Sequence, residues 1–298
     1  MLKHWIEAFR LRTLPLALAC IGMGSFLAAF FTTFNWIVCV LSLITTLFLQ
    51  ILSNLANDYG DTIHGADSTE REGPSRAVQK GAISPKSMMR AIIICSILSF
   101  ISGLLLLHFA VGIGSVTFYV FLGIGLLAIF AAIAYTNGKR PYGYMGLGDI
   151  FVFLFFGLVG VVGTYYLHAE SVEPTIFLPA MACGFLAAGV LNVNNIRDIK
   201  SDELAGKRSI PVRIGQKNAK IYHYLLIGFA WISVISFIVI HYQSQWNLLV
   251  FLSFPLFIYH AILLWKSNRG KEIDPLLKQL ALSTLFFVLT FGFGIVLF

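Results

Sequence analysis

Charge is what this sequence has least of. Asp, Glu, Lys and Arg make up 12% of its 298 residues, about half the share in an ordinary soluble domain. With 58% of residues hydrophobic, a water-soluble fold is excluded. Cysteine is scarce as well: Cys20, Cys39, Cys95 and Cys183 lie inside apolar runs without metal-ligand spacing and read as packing residues. The net charge of +7 does not point to nucleic acid, because no basic face with interleaved stacking residues exists outside the short loops between apolar runs. Nor does a cleavable leader fit the start: the apolar part before Cys20 is only Leu14 to Ala19, and the run continues to Phe31.

What is present is a series of apolar runs near the ~20 residues that a helix needs to cross a bilayer core. There are nine: Leu14 to Phe31, Trp36 to Leu55, Ala91 to Phe109, Ile113 to Tyr135, Ile150 to Leu167, Ile176 to Asn195, Tyr222 to Ile240, Asn247 to Trp265 and Leu280 to Phe298. None contains Asp, Glu, Lys or Arg. Ahead of the first, Leu2, Trp5, Ile6 and Phe9 share one helical face, which predicts a short helix lying in the interface.

The basic residues alternate completely. All 21 Lys and Arg fall in the N-terminal segment and in the loops after the second, fourth, sixth and eighth runs. Because basic residues in short loops stay cytoplasmic, the N-terminus is expected in the cytoplasm and, with nine spans, the C-terminus outside. The expected fold is therefore an all-α integral membrane protein forming one domain over residues 1–298. A four-helix pseudo-repeat, 1–147 and 148–270 with a final helix appended, is suggested by the spacing of the polar clusters.

Those clusters open the two long loops on the basic side. The first is Asn54-Leu55-Ala56-Asn57-Asp58-Tyr59-Gly60-Asp61, followed by Asp67. If the second helix runs on, Asn54, Asp58 and Asp61 share a face. The second cluster holds Asn194, Asn195, Asp198 and Asp202 and is expected to do the same on its own helix. Four converging carboxylates repel one another at a low-dielectric mouth unless cations neutralise them. Mg²⁺ suits such ligands and is commonly shared with substrate phosphates, so the pattern anticipates a phosphorylated ligand. Arg76, Lys207 and Arg208 in these two loops, and Lys139 and Arg140 in the loop after the fourth run on the same side, are candidate phosphate donors.

At these positions the chain resembles the UbiA superfamily of intramembrane prenyltransferases, which carry an N-D-x-x-D-type motif after the second helix and D-x-x-x-D after the sixth. The resemblance extends to Arg12-Thr13-Leu14-Pro15, the Gln79-Lys80-Gly81 turn, Arg140-Pro141-Tyr142-Gly143-Tyr144, Gly146-Leu147-Gly148-Asp149 and Gly206-Lys207-Arg208. One departure is Gly65, where the general pattern has a further acid; Asp67 is the candidate to take its place.

The resemblance implies nine helices around a central cavity with a lateral opening for a lipid tail. It implies Mg²⁺ held by Asp58, Asp61, Asp198 and Asp202, with Asp67 as an additional candidate. Asn54, Asn57, Arg76, Tyr135, Lys139, Arg140, Asn194, Asn195, Lys207 and Arg208 become candidate substrate contacts. The substrates it implies are a polyprenyl diphosphate and, in the branch it matches most fully, 1,4-dihydroxy-2-naphthoate, with loss of CO₂ and diphosphate. The setting would be the bacterial cytoplasmic membrane, with the site facing the cytoplasm. Other acceptors, such as 4-hydroxybenzoate, keep the fold and change the product. A CDP-alcohol phosphotransferase would need a dense D-G-x-x-A-R-type run that is absent. A cation-coupled transporter would place its acids nearer the bilayer midplane.

Overall fold

The computed structural model describes residues 1–32, 34–65 and 76–297, and Asp67 lies outside the described residues. Among them, every regular element is helical, and nine helices are long and apolar enough to span a membrane. Their order is that of the apolar runs.

The amphipathic start forms α1 (Leu2–Phe9), with Trp5 and Phe9 packed on a core of Leu52, Leu55, Met88 and Ile92. It stops where Arg10 turns left-handed at φ 50°. The spans that follow are α2 (Leu14–Phe31), α3 (Trp36–Ile63), α4 (Pro85–Val111) and α5 (Val116–Ala134). Side-chain caps from Asn35, Ser84 and Ser115 start α3, α4 and α5. α3 is the decisive one. It continues eight residues past Leu55, so the first Asn/Asp cluster is built into the last turns of a membrane helix.

The fifth span, Gly148–Ala169, is α6 (Gly148–Val152), a π-helical stretch Phe153–Gly163, and α7 (Thr164–Ala169). The sixth, α8 (Phe177–Arg197), is the most enclosed of the nine. Ala180, Ala182, Gly184, Ala187 and Ala188 leave it slender enough for close packing, which is how helices associate where lipid removes the hydrophobic drive.

The second cluster departs from expectation. The helix breaks at Asp198 (φ −100°, ψ 12°), and a separate short helix, α9 (Ile199–Leu204), carries Asp202. The remaining spans are α10 (Ile210–Ile240), interrupted at Gly215, then the segment Gln245–Lys266 ending in α11 (Phe254–Lys266), and α12 (Gly270–Val296). α12 begins ten residues before the apolar run that predicted it, bringing Glu272 and Asp274 into its first turns.

Candidate active site

The end of α3 is clipped to the loop after α5. Thr136 Oγ1 donates to the Ala56 carbonyl (3.1 Å) and the Asn57 side chain (3.3 Å), and Asn137 Nδ2 donates to the same Ala56 carbonyl (3.0 Å). Gly60 permits this approach, since a Cβ there would stand 2.7 Å from the Thr136 carbonyl oxygen. Further along, the loop reaches the second cluster: the Arg208 N–H donates to the Tyr144 carbonyl (2.9 Å) and Arg213 to that of Met145 (2.6 Å). The segment after α5 therefore straps the two Asp clusters together.

Within that frame each carboxylate has a distinct partner. Asp58, buried, accepts the Ala77 and Val78 backbone N–H groups at 3.2 and 3.3 Å, holding the turn that ends at Gly81. Asp61 pairs with Arg76 at 2.5 Å and accepts the Tyr144 hydroxyl at 2.9 Å. Asp198 is gripped by its neighbour Arg197 through two bonds of 2.8 and 2.5 Å. Asp202 pairs with buried Lys207 at 3.1 Å, and that ammonium lies 6.0 Å from the Tyr144 ring centroid.

Electrostatics run across the clusters. Burial pushes the Asp202 carboxyl above its ordinary range; Lys207 pulls it back, while the charges of Asp198 and Asp61 push it further up. Lys207 is held protonated well above its usual value: burial opposes its charge, but Asp202 and Asp61 outweigh it. Burial raises Tyr135 to about 12, with Lys207 acting the other way, so its hydroxyl remains a donor at neutral pH.

A cavity of about 350 Å³ opens from this polar end into the bundle. Its rim includes Asn54, Asn57, Asp61, Arg76, Tyr135, Asn194 and Lys207, joined by Arg10 and Gln50. From Asp61 the lining follows α3 down to Ser42, about 28 Å of helix at 1.5 Å per residue. The walls there are apolar side chains of α4, α5 and the π-helical stretch, Phe100, Phe121, Phe155 and Phe156 among them. Just inside the rim, Tyr135 and Tyr142 pack edge to face at 5.3 Å and Tyr142 stacks on Phe151 at 4.1 Å.

The structure thus brings Asn54, Asn57, Asp61, Arg76, Tyr135, Asn194 and Lys207 to one space. Asp58, Asn195, Asp198 and Asp202 are buried beside it without bordering it, and Lys139, Arg140 and Arg208 stand exposed. Asn54 also acts locally, because its Nδ2 donates to the Phe9 carbonyl (2.9 Å) and so ties α1 to α3. Sequence reasoning did not single out Tyr144 as a site residue or Asp274 at all. Asp274 lay in a stretch read as loop, and only its rarity as an acid could have flagged it.

Among the described residues, no three His, Cys, Asp or Glu side chains converge tightly enough to hold a metal ion. The donor set nevertheless fits a hard divalent cation. Asp58, Asp61, Asp198 and Asp202 are buried oxygen donors. Arg76 pairs with Asp61, Arg197 with Asp198 and Lys207 with Asp202, and Arg197 is shared with Asp274.

Comparison with known proteins agrees with this picture. Residues 16–289 match the model of the UbiA prenyltransferase family. The chain is 46% identical to the 1,4-dihydroxy-2-naphthoate octaprenyltransferase of Haemophilus influenzae, over 99% of this chain and 96% of that one. Its fold is similar to a UbiA homolog from Aeropyrum pernix K1 (TM-score 0.70, 18% identity, 97% and 98% of the two chains). It is also similar to one from Archaeoglobus fulgidus bound to GPP and Mg²⁺ (TM-score 0.62, 19% identity, 98% and 100%).

Proposed function

This chain belongs to the UbiA prenyltransferase family, and from that membership we propose that it transfers a polyprenyl chain from its diphosphate to 1,4-dihydroxy-2-naphthoate. The acceptor follows from the Haemophilus influenzae relative, whose name states it and which aligns along nearly the whole chain. The observation that carries the chemistry is a cavity with a charged rim beside both Asp clusters and apolar walls for the rest of its length.

In this reading the diphosphate lies at the rim and the isoprenoid tail along α3, α4 and α5. Asp58, Asp61, Asp198 and Asp202 would hold divalent ions, Mg²⁺ in the first instance, a role supported by the fold neighbour that binds GPP with Mg²⁺. Such ions, when bound, neutralise the charge that grows on the leaving diphosphate. Arg76 and Lys207 border the cavity while paired to Asp61 and Asp202, so each can turn its N–H donors to phosphate oxygens once its carboxylate is otherwise engaged. Tyr135, protonated at neutral pH, donates a hydrogen bond at the same rim, and Asn57 and Asn194 offer carboxamides.

The allylic C–O bond breaks with its electron pair leaving on diphosphate. The Tyr135, Tyr142 and Phe151 rings line the cavity just inside the rim, and in this reading their faces stabilise the positive charge that develops on the allylic carbon. The apolar walls keep out water that would capture it. The acceptor carbon bearing the carboxylate forms the new C–C bond, and that carboxylate departs as CO₂. We place the protein in the bacterial cytoplasmic membrane with the rim facing the cytoplasm.

The test uses purified protein in detergent with Mg²⁺, a polyprenyl diphosphate and either 1,4-dihydroxy-2-naphthoate or 4-hydroxybenzoate. Prenylated naphthol with CO₂ release is expected. Turnover should cease with EDTA, return with Mg²⁺, and fall at least about 100-fold in Asp61→Asn, the scale seen when one charge-stabilising group is removed from a site. Product from 4-hydroxybenzoate alone would keep the mechanism and overturn the acceptor.

A further inference from the structure

Four ionised side chains from three distant segments form a chain of alternating charge. Arg12, in the turn before α2, donates to both oxygens of Asp274 in α12 (3.0 and 2.9 Å). Asp274 also accepts from Arg197 Nη1 at 2.6 Å. Arg197, the last residue of α8, spends Nε and Nη2 on Asp198 and donates to the Asn194 side chain at 2.9 Å. Its side chain is fully buried, whereas those of Asp274 and Arg12 are about one quarter exposed. Neither Arg12, Arg197 nor Asp274 borders the cavity.

This arrangement sets how readily Asp198 can accept a cation. To take one, its carboxylate must loosen the two bonds from Arg197. A buried guanidinium that lost its only anion would be left uncompensated, which is strongly unfavourable. Here a second carboxylate already shares it, so the charge can settle on Asp274 while Asp198 turns to an ion. Arg12 works against this, because it draws on the same Asp274 oxygens.

We propose that Asp274 is a positioning residue for divalent-ion binding: by holding Arg197 in common with Asp198 it keeps Asp198 exchangeable, and Arg12 limits how far it does so. The proposal rests on the reading of Asp198 as an ion ligand. It makes the two ends of the network act in opposite directions, which a merely structural clasp between α2 and α12 would not do.

Binding of Mn²⁺ to the full-length protein in detergent, followed by the electron-paramagnetic-resonance signal of free Mn²⁺, tests it without turnover. Asp274→Asn should raise the half-saturating Mn²⁺ concentration about three- to tenfold, as expected for residues in one ion network, and Asp274→Glu should restore it to within about twofold. Arg12→Gln should lower it about twofold or more. Glu272→Gln removes the same charge from the same turn without touching Arg197 and serves as the control; it should match the wild type. Thermal unfolding of each variant checks that it is folded. An unchanged Asp274→Asn, parallel weakening in Asp274→Asn and Arg12→Gln, or an equal shift in Glu272→Gln overturns the proposal. Wild-type binding in Asp198→Ala would instead overturn Asp198 as a ligand.

Discussion

Lys207 and Asp202 show how much one residue can be asked to do. Both are buried, they face each other at 3.1 Å, and Lys207 also borders the cavity. Removing one member of a buried pair strands the other's charge, a loss of about 3–5 kcal/mol. Lys207→Met should therefore lower the unfolding midpoint in detergent as well as abolish turnover. Adding Asp202→Asn should return most of the stability and none of the activity. If the double variant turned over at wild-type rate, neither residue could belong to the site. The residue types were legible beforehand: Asn, Asp, Arg and Lys at a membrane mouth announce a charged ligand. Which cation partners which carboxylate was not, because Arg76 and Asp61, or Lys207 and Asp202, meet only after loops fold back on helix ends.

Helix continuity decides how the carboxylates are presented. α3 continues through its cluster as the i, i+4, i+7 spacing implied, because Asn54 is anchored on the Phe9 carbonyl and the Ala56 carbonyl is taken up by Thr136 and Asn137. The same spacing misled at the second cluster. There Arg197 turns its guanidinium onto Asp198 and Asp274, the backbone leaves helical geometry at Asp198, and Asp202 comes from α9 instead. A spacing rule sees propensity along one stretch of sequence and cannot see an ion pair with α12. The close seating of α3 on the loop after α5 is testable: Gly60→Val would drive a side chain into the Thr136 backbone, and overpacking of this kind costs about 1–3 kcal/mol. A lowered unfolding midpoint with weakened Mn²⁺ binding is expected, and unchanged values for both would mean that the seating does not position the cluster.

Over the whole molecule, nine spans lie among the described residues, with α8 the most enclosed and α3, α4, α5 and the π-helical stretch supplying the apolar walls of the cavity, while α10 and α11 contribute no lining residue. The orientation proposed from the basic loops has a direct check. In a background with Cys20, Cys39, Cys95 and Cys183 replaced by Ala, single cysteines at Leu297→Cys and Lys139→Cys should label oppositely with a membrane-impermeant thiol reagent on intact cells, the first modified and the second protected; the reverse pattern would invert the topology. The sequence by itself determined the number and order of the spans and the two polar clusters, because apolar length and charge are local properties that the bilayer reads segment by segment. Only the tertiary structure decided that both clusters gather at one cavity, that Asp198 begins with Arg197 rather than facing that cavity, and that Asp274 belongs to the same network. Each of these depends on residues tens to hundreds of positions apart being forced together in a medium where no buried charge can stay unpaired.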